Sequence, residues 1–307
     1  MKLVIENACI EGIDLAGKTT LYTNIHKRTG WRYNIQDRGV LSMLVYASLN
    51  RRNTAVHERH LEVYLKNLNN IIVVLQPKWE TIEERYNARG DEEQDLESLK
   101  KLHKLFEVVV SKIKDAPNVF LIDEDEESKM TFQACQFIKR YENNFGENCA
   151  SHVHELVTAS TKNELQGVEW HTEFKSSDID FMSMQCSGIL RDPDEGEYYK
   201  RILTELFTNI DDEMQGKGNG VAQKVVTSRR FIYTDDSCIS LIHGQCREGS
   251  TDMNIRIVCR STNVTKTLPL DAKFFVLACG KFIQMLDPGM NRVVRLHVTL
   301  NSAHLIA

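Results

Sequence analysis

The chain has 307 residues, length for about two domains of ordinary size, and its 42% hydrophobic and 26% charged content is that of a globular protein in water. A net charge of −5 gives tight sequence-independent nucleic-acid binding no support, although a local basic patch stays open. The eight cysteines include no C-x-x-C pair, which suits free thiols in a reducing cytoplasm, the N-terminus does not read as a signal peptide, and no apolar run approaches the ~18 residues of a membrane span.

In chain order, the apolar run Leu3 to Ile10 predicts a buried strand. Glu11-Gly12-Ile13-Asp14-Leu15-Ala16-Gly17-Lys18-Thr19-Thr20 follows, and then a helical pattern from Leu21 to a stop at Thr29-Gly30. Strand, glycine-containing turn and helix start are the context in which G-x-x-x-x-G-K-[ST] counts as a phosphate-binding loop. Gly12 and Gly17 turn backbone N–H groups inward, and the helix start adds its dipole. Lys18 is placed to reach the β- and γ-phosphates, and the Thr19 hydroxyl to meet Mg²⁺. Gly12, Asp14, Ala16, Gly17, Lys18, Thr19 and Thr20 are therefore the expected ATP-binding set.

Trp31 to Gln36 reads as a second strand ending in Asp37-Arg38-Gly39, with Ser42 and Tyr46 on the apolar helix behind it. Residues at the carboxyl end of such a strand face the ligand in a doubly wound sheet; a surface Asp–Arg ion pair is the plainer alternative. A polar helix over 54–69, a buried strand at Ile71–Leu75 and a helix from Trp79 to Asn87 come next. Arg85 and Arg89 lie four apart on one helical face. They could clamp a transferring phosphoryl group, or belong to a solvated charged face. A long helix to about Lys114, a strand at Val119–Ile122 and a helix from Lys129 to Tyr141 complete a strand–helix alternation that predicts an α/β three-layer fold with a parallel sheet for residues 1–145.

The polar stretch Asn143–Asn148 breaks the helical periodicity, so a domain boundary is expected near 143–152. Residues 150–307 read as a second, α+β domain. It has a helix from Glu197 to Asp212, a glycine-rich loop over Gln215–Gly220, and β-like runs at Val221–Tyr233, Ile239–Cys246, Met253–Cys259 and Val293–Leu300. One apolar helix, Ala272 to Met285, interrupts the strands. Arg260 and Ser261 make a monoanionic phosphate site; Asp271 at a helix start could be no more than an N-cap.

The phosphate loop, Asp37-Arg38 with Ser42 and Tyr46, and the segment Arg85…Arg89-Gly90-Asp91 resemble the thymidylate kinase family of nucleoside monophosphate kinases. The resemblance covers about 140 residues. It implies transfer of the γ-phosphoryl of ATP to a deoxynucleoside monophosphate, such as dTMP or a 5-hydroxymethyl pyrimidine analogue. Arg38 would bind the acceptor phosphate, with Asp14, Ser42 and Tyr46 around it, and Asp37 with Thr19 would organise Mg²⁺. One branch of the family carries an arginine beside the loop Asp; Leu15 stands there in this chain, which moves the expected transition-state arginine to Arg85 or Arg89. The stretch between Thr19 and Arg38 is shorter than in that family, so a kinase for hydroxymethylated pyrimidines in DNA stays open beside one for free nucleotides.

In the second half, Arg260 to Asp271 and Asn301-Ser302-Ala303-His304-Leu305 resemble the thymidylate synthases and related deoxycytidylate hydroxymethylases. The resemblance implies Cys238 as nucleophile at C6 of a pyrimidine, Arg260 and Ser261 on its 5′-phosphate, Asn263 beside them, Asp271 on the base edge and His304 on the sugar. Methylene-tetrahydrofolate would be the one-carbon donor. Glu164, Glu169 and Glu173 are candidates for a general base, and Arg229-Arg230 for a phosphate pair lent by a partner in a homodimer. Departures from the pattern are Ile239 after the cysteine, Asn263 for an aspartate, Thr267 for a glycine and Ile306 for a tyrosine. A non-catalytic nucleotide-binding or dimerisation module is the alternative, and a plain buried thiol is the simpler reading of Cys238 alone. Together these features lead us to expect a kinase fused to a pyrimidine-nucleotide domain, cytoplasmic (in a host's cytoplasm if the source is viral), as in a dedicated nucleotide-modification route.

Overall fold

The computed structural model describes residues 2–91, 94–160, 164–214, 232–246, 252–286 and 293–305. The chain folds as two compact units, Val4–Asn144 and Met1–Leu3 with Phe145–Ala307. The first apolar run therefore serves two sheets. Its start is the short strand β1 (Lys2–Leu3), which pairs antiparallel in the second unit, and its continuation is β2 (Asn7–Glu11) in the first.

The first unit continues with α1 (Lys18–Thr29), β3 (Ile35–Asp37), α2 (Val40–Leu49), α3 (Ala55–Lys66), β4 (Asn70–Leu75), α4 (Trp79–Arg89), α5 (Leu96–Ile113), β5 (Val119–Ile122) and the start of α6 (Glu127–Thr158). The strands form a parallel sheet in the order β3-β2-β4-β5. β4 lies between β2 and β5 with all six residues buried, which is why it reads as an uninterrupted apolar run. Order reverses beside β2: the chain leaves it to β3 on one side and returns to β4 on the other. Right-handed crossovers then put α1 on one face and α2 to α5 on the other, and α2 packs on α5. A doubly wound sheet binds ligands at the carboxyl end of such a switch point.

Two expectations are corrected in this unit. The second strand is Ile35–Asp37, not Trp31–Gln36. Trp31 has φ 60 and stacks on His26 with ring centroids 4.1 Å apart, so it closes α1 instead of extending β3. The helix predicted to stop at Tyr141 runs on as α6 to Thr158, through the expected break. Cys149, Val153, Leu156 and Val157 are buried, so a helical apolar stripe resumes after the polar residues and outweighs the cost of one glycine, roughly 1 kcal/mol.

The second unit adds β6 (Glu164–Lys175), α7 (Ser176–Cys186), a 3-10 turn (Ser187–Arg191), α8 (Gly196–Met214), β7 (Ile232–Thr234), β8 (Ile239–Cys246), β9 (Asp252–Cys259), β10 (Thr262–Asn263), α9 (Leu268–Leu286) and β11 (Val293–His304). Its mixed sheet has the order β1-β6-β11-β9-β8-β7, with β10 beside β11. β9 and β11 run parallel, joined by α9, and the other neighbours on the main path are antiparallel. Alternate residues are buried along each long strand, Val168, Trp170, Thr172 and Phe174 on β6 and Val294, Leu296, Val298 and Leu300 on β11. Strand β6 and helix α7 were not anticipated. The loop expected at Gln215–Gly220, Arg229-Arg230 and all of the run Val221–Tyr233 but its end lie outside the described residues.

Candidate functional site

β2 ends at Glu11 and α1 begins at Lys18, and the six residues between them form the loop. Gly12 has φ 144, and a Cβ there would sit 2.6 Å from the Leu75 carbonyl oxygen, so both conformation and space require glycine. Gly17, at φ 97, is the N-cap of α1 and makes no side-chain cap, which leaves the first amides of the helix for a ligand.

Lys18 is buried. Its Nζ donates to the Ile13 carbonyl at 2.6 Å and lies 3.8 Å from Asp14 Oδ1. Burial pulls its pKa down, and Asp14 opposes that shift. Asp14 also accepts from Arg38 Nη2 and, at 2.6 Å, from the Tyr46 hydroxyl. The Thr19 hydroxyl donates to Asp37 Oδ2 at 2.9 Å. On the opposite wall, Arg85 donates from Nη1 to the Leu15 carbonyl at 2.8 Å and from Nη2 to the Asp125 carbonyl at 3.4 Å. The Asp125 carboxylate accepts from the Thr81 hydroxyl at 2.9 Å through Oδ2, while its Oδ1 is buried without a partner. These groups enclose a cavity of about 540 Å³, the size of an ordinary small-molecule site.

Of the residues expected here, Asp14, Gly17, Lys18, Thr19, Thr20, Asp37, Arg38, Arg85 and Arg89 line the cavity. Gly12 and Ala16 shape the loop from behind. Ser42 and Tyr46, expected to contact the acceptor, do not line it. Ser42 is buried with its hydroxyl donating to Glu11, and the Tyr46 hydroxyl donates a hydrogen bond to Asp14. Helix α2 thus serves as scaffold for Asp37 and Arg38. Glu11, Asp125, Glu127 and Met130 were not anticipated. Asp125 and Glu127 follow β5 at the carboxyl edge of the sheet, where ligands collect, and that position was the available signal.

The oxygens of Thr19 and Asp37 fit Mg²⁺. They are hard donors side by side, one hydroxyl and one carboxylate, and such an ion takes its other ligands from water and phosphate. Among the described residues no group of three or more His, Cys, Asp or Glu could hold a metal by itself.

Among the solved structures similar to part of this chain are three of nucleotide-binding proteins. A Bacillus subtilis YorR protein in complex with phosphorylated GDP is 18% identical over 44% of this chain and 96% of its own, with a TM-score of 0.36. A deoxyadenosine kinase from M. mycoides is 18% identical in two structures. One, with bound dATP, has a TM-score of 0.32 over 43% of this chain and 99% of its own. The other, with products dCMP and a flexible dCDP, has a TM-score of 0.30 over 43% and 98%. TM-scores this low do not establish a common fold. No protein-family model matches the sequence, and comparison with curated proteins finds no relative.

In the second unit, the residues singled out from the sequence gather at one end of the sheet. Arg260 follows β9 and donates its backbone N–H to the Cys238 carbonyl at 2.7 Å. The Ser261 hydroxyl lies 3.4 Å from His304 Nδ1, and Asn263 pairs with His304 across β10 and β11. Two of the expected roles are corrected. Asp271 is 2% exposed, and each carboxylate oxygen already accepts one bond from the chain itself, Oδ1 from Tyr199 at 2.8 Å and Oδ2 from Thr262 at 2.9 Å, so its burial turns it into the structure and away from a base edge. The Asn263 side-chain oxygen accepts from the backbone of Thr265 and Lys266 at 2.9 and 3.0 Å and shapes a turn. Cys238 is exposed, and its pKa is raised by desolvation and by Asp271, with Arg260 opposing, so the thiol form dominates at neutral pH. The three glutamates considered as base all sit on β6, three places along the sheet from β8, which begins beside Cys238. Glu173 pairs with Arg295 and Glu164 accepts from Ser302. The acid whose charge bears on both Cys238 and Asp271 is Glu195, which precedes α8. No helix among the described residues is long and apolar enough to cross a membrane.

Proposed function

We propose that residues 4–144 transfer the γ-phosphoryl of ATP to the 5′-phosphate of a deoxypyrimidine nucleotide, with Mg²⁺. The observation that carries this reading is the convergence of Lys18, Arg38 and Arg85 on one cavity above the loop, with Thr19 and Asp37 on its floor. Phosphoryl transfer needs little covalent chemistry from the protein; it needs two phosphates aligned and their charge neutralised. Lys18 and the free amides of α1 suit the donor phosphates. Arg38, across Asp14 from Lys18, suits the acceptor phosphate. Arg85, which holds the Leu15 carbonyl and lines the same cavity, would supply further positive charge to the transferring group. The ion held at Thr19 and Asp37 would neutralise charge on the donor phosphates.

For the second unit we propose a pyrimidine-nucleotide-binding role without covalent chemistry, in which Arg260 and Ser261 take a phosphate. The engaged Asp271 and the protonated Cys238 favour this over a one-carbon transferase. One assay set tests both parts. ADP release is measured with dTMP, dCMP, dUMP and their 5-hydroxymethyl forms, and label transfer from ATP with a hydroxymethylated duplex. Turnover with a monophosphate is expected; none with any monophosphate overturns the reading, and label on duplex alone transfers it to a DNA-modifying kinase. Tritium release from C5 of dCMP or dUMP with methylene-tetrahydrofolate is expected to be absent, and its presence would reinstate the transferase. Cys238→Ser is expected to leave ADP release unchanged.

A further inference from the structure

Glu11 is the last residue of β2, is 0% exposed, and touches nothing in the cavity. Its carboxylate accepts from the backbone N–H of Leu41 at 2.9 Å, from the backbone N–H of Ser42 at 3.1 Å and from the Ser42 hydroxyl. Counted from the N-cap Gly39, Leu41 and Ser42 are the second and third residues of α2. Theirs are the amides that an N-cap side chain ordinarily satisfies. Gly39 has no side chain to offer and no room for one, because a Cβ there would lie 2.5 Å from Cys9 Sγ and 3.2 Å from Glu11 Oε1. Residue 39 must therefore approach β2 closely, and the cap must come from elsewhere.

Just before this cap stand Asp37 and Arg38. Arg38 has φ 74, a left-handed conformation that costs a non-glycine residue energy and persists only where its surroundings over-determine it. Its N–H is fixed by the Ile10 carbonyl at 3.0 Å, its side chain by Asp14, and the chain immediately after it by the Glu11 cap.

We infer that Glu11 is a positioning residue of the phosphoryl-transfer site: by capping α2 in place of Gly39, it fixes Asp37 and Arg38 against the phosphate loop. The catalytic consequence rests on the kinase reading; the anchoring does not. Burial raises the carboxyl pKa, while the two amides, the hydroxyl and Lys18 favour its ionised form.

The test uses Glu11→Gln, which keeps the volume but can accept from only one of the two amides, in the full-length chain. Amide exchange at Leu41 and Ser42 is expected to rise roughly tenfold, with exchange in β4 unchanged. Turnover is expected to fall up to about 10²-fold, because both the metal-side Asp37 and the acceptor-side Arg38 lose their anchoring. In an Arg38→Ala background the same substitution is expected to cost less than it does alone, the remainder acting through Asp37, because coupled residues are not additive. Unchanged exchange over residues 37–46 overturns the inference, as does a full, independent loss on the Arg38→Ala background. A wild-type chain inactive with every acceptor counts against the kinase reading alone, and exchange then decides the role of Glu11.

Discussion

Replacing Arg85 by alanine is expected to lower phosphoryl-transfer turnover about 10³-fold or more, while weakening Mg-ATP binding far less. The side chain spans the mouth of the loop. One guanidinium nitrogen holds the Leu15 carbonyl and the other the Asp125 carbonyl, and Nη1 would lie 3.9 Å from a Cβ on Gly17. Leu15 itself sits at φ 67, so the loop carbonyl that Arg85 holds belongs to a strained residue. On the proposed mechanism the same fork would meet oxygens of the transferring group in the transition state, whereas Lys18 and the start of α1 would hold the ground-state phosphates. Removing it therefore acts on turnover more than on KM. Arg85→Lys should recover little, since a compact ammonium does not reproduce the planar fork whose two nitrogens reach separate carbonyls. Arg89, one turn further along α4 and exposed, should matter less. An Arg85→Ala enzyme within about tenfold of wild type would shift the role to Arg89 or deny the mechanism.

How far the site could be read from the chain depends on where the deciding interactions lie. The phosphate loop was legible because its requirements are local: two glycines, a lysine and a threonine at fixed spacing between a strand and a helix. Arg85 was legible only as a cation on a helical face; its hold on Leu15 and Asp125 spans 70 and 40 residues. Ser42 goes to the ligand only through the family resemblance of the Asp37-Arg38…Ser42 pattern, yet a buried carboxylate 31 residues earlier claims its hydroxyl. The same distance hid Glu11, whose meaning depends on the close approach of Gly39. In the second unit, the alternation Val168, Trp170, Thr172, Phe174 is the period-two mark of β6, weakened only by the polar Thr172 on its buried face. Asp271 was half-legible: a helix-start acid could be seen, while its partners Tyr199 and Thr262 could not.

Asp271 carries the second large prediction, a loss of stability in the second unit as pH rises from about 4 to 7. Its carboxyl is nearly inaccessible to water, and burial, reinforced by Glu195, lifts its pKa from 3.8 to about 6 despite the hydrogen bonds from Tyr199 and Thr262. The folded chain therefore binds a proton here more tightly than the unfolded chain does. Stability from this group is complete below the unfolded value, declines as pH climbs, and is gone above about 6. A shift of roughly two units corresponds to about 3 kcal/mol. Asp271→Asn removes the titration and keeps the shape, and the hydroxyls of Tyr199 and Thr262 can turn to donate to its oxygen or accept from its amide. Denaturant unfolding at pH 4.5 and pH 7 should show the variant gaining on wild type by about 2 kcal/mol between the two conditions, since pH 4.5 already lies above the unfolded value. Other groups titrate in both proteins and cancel in that difference. A variant that instead loses ground at pH 7 would mean that the ionised carboxylate is the stabilising form, held by its two hydroxyls more strongly than burial opposes it.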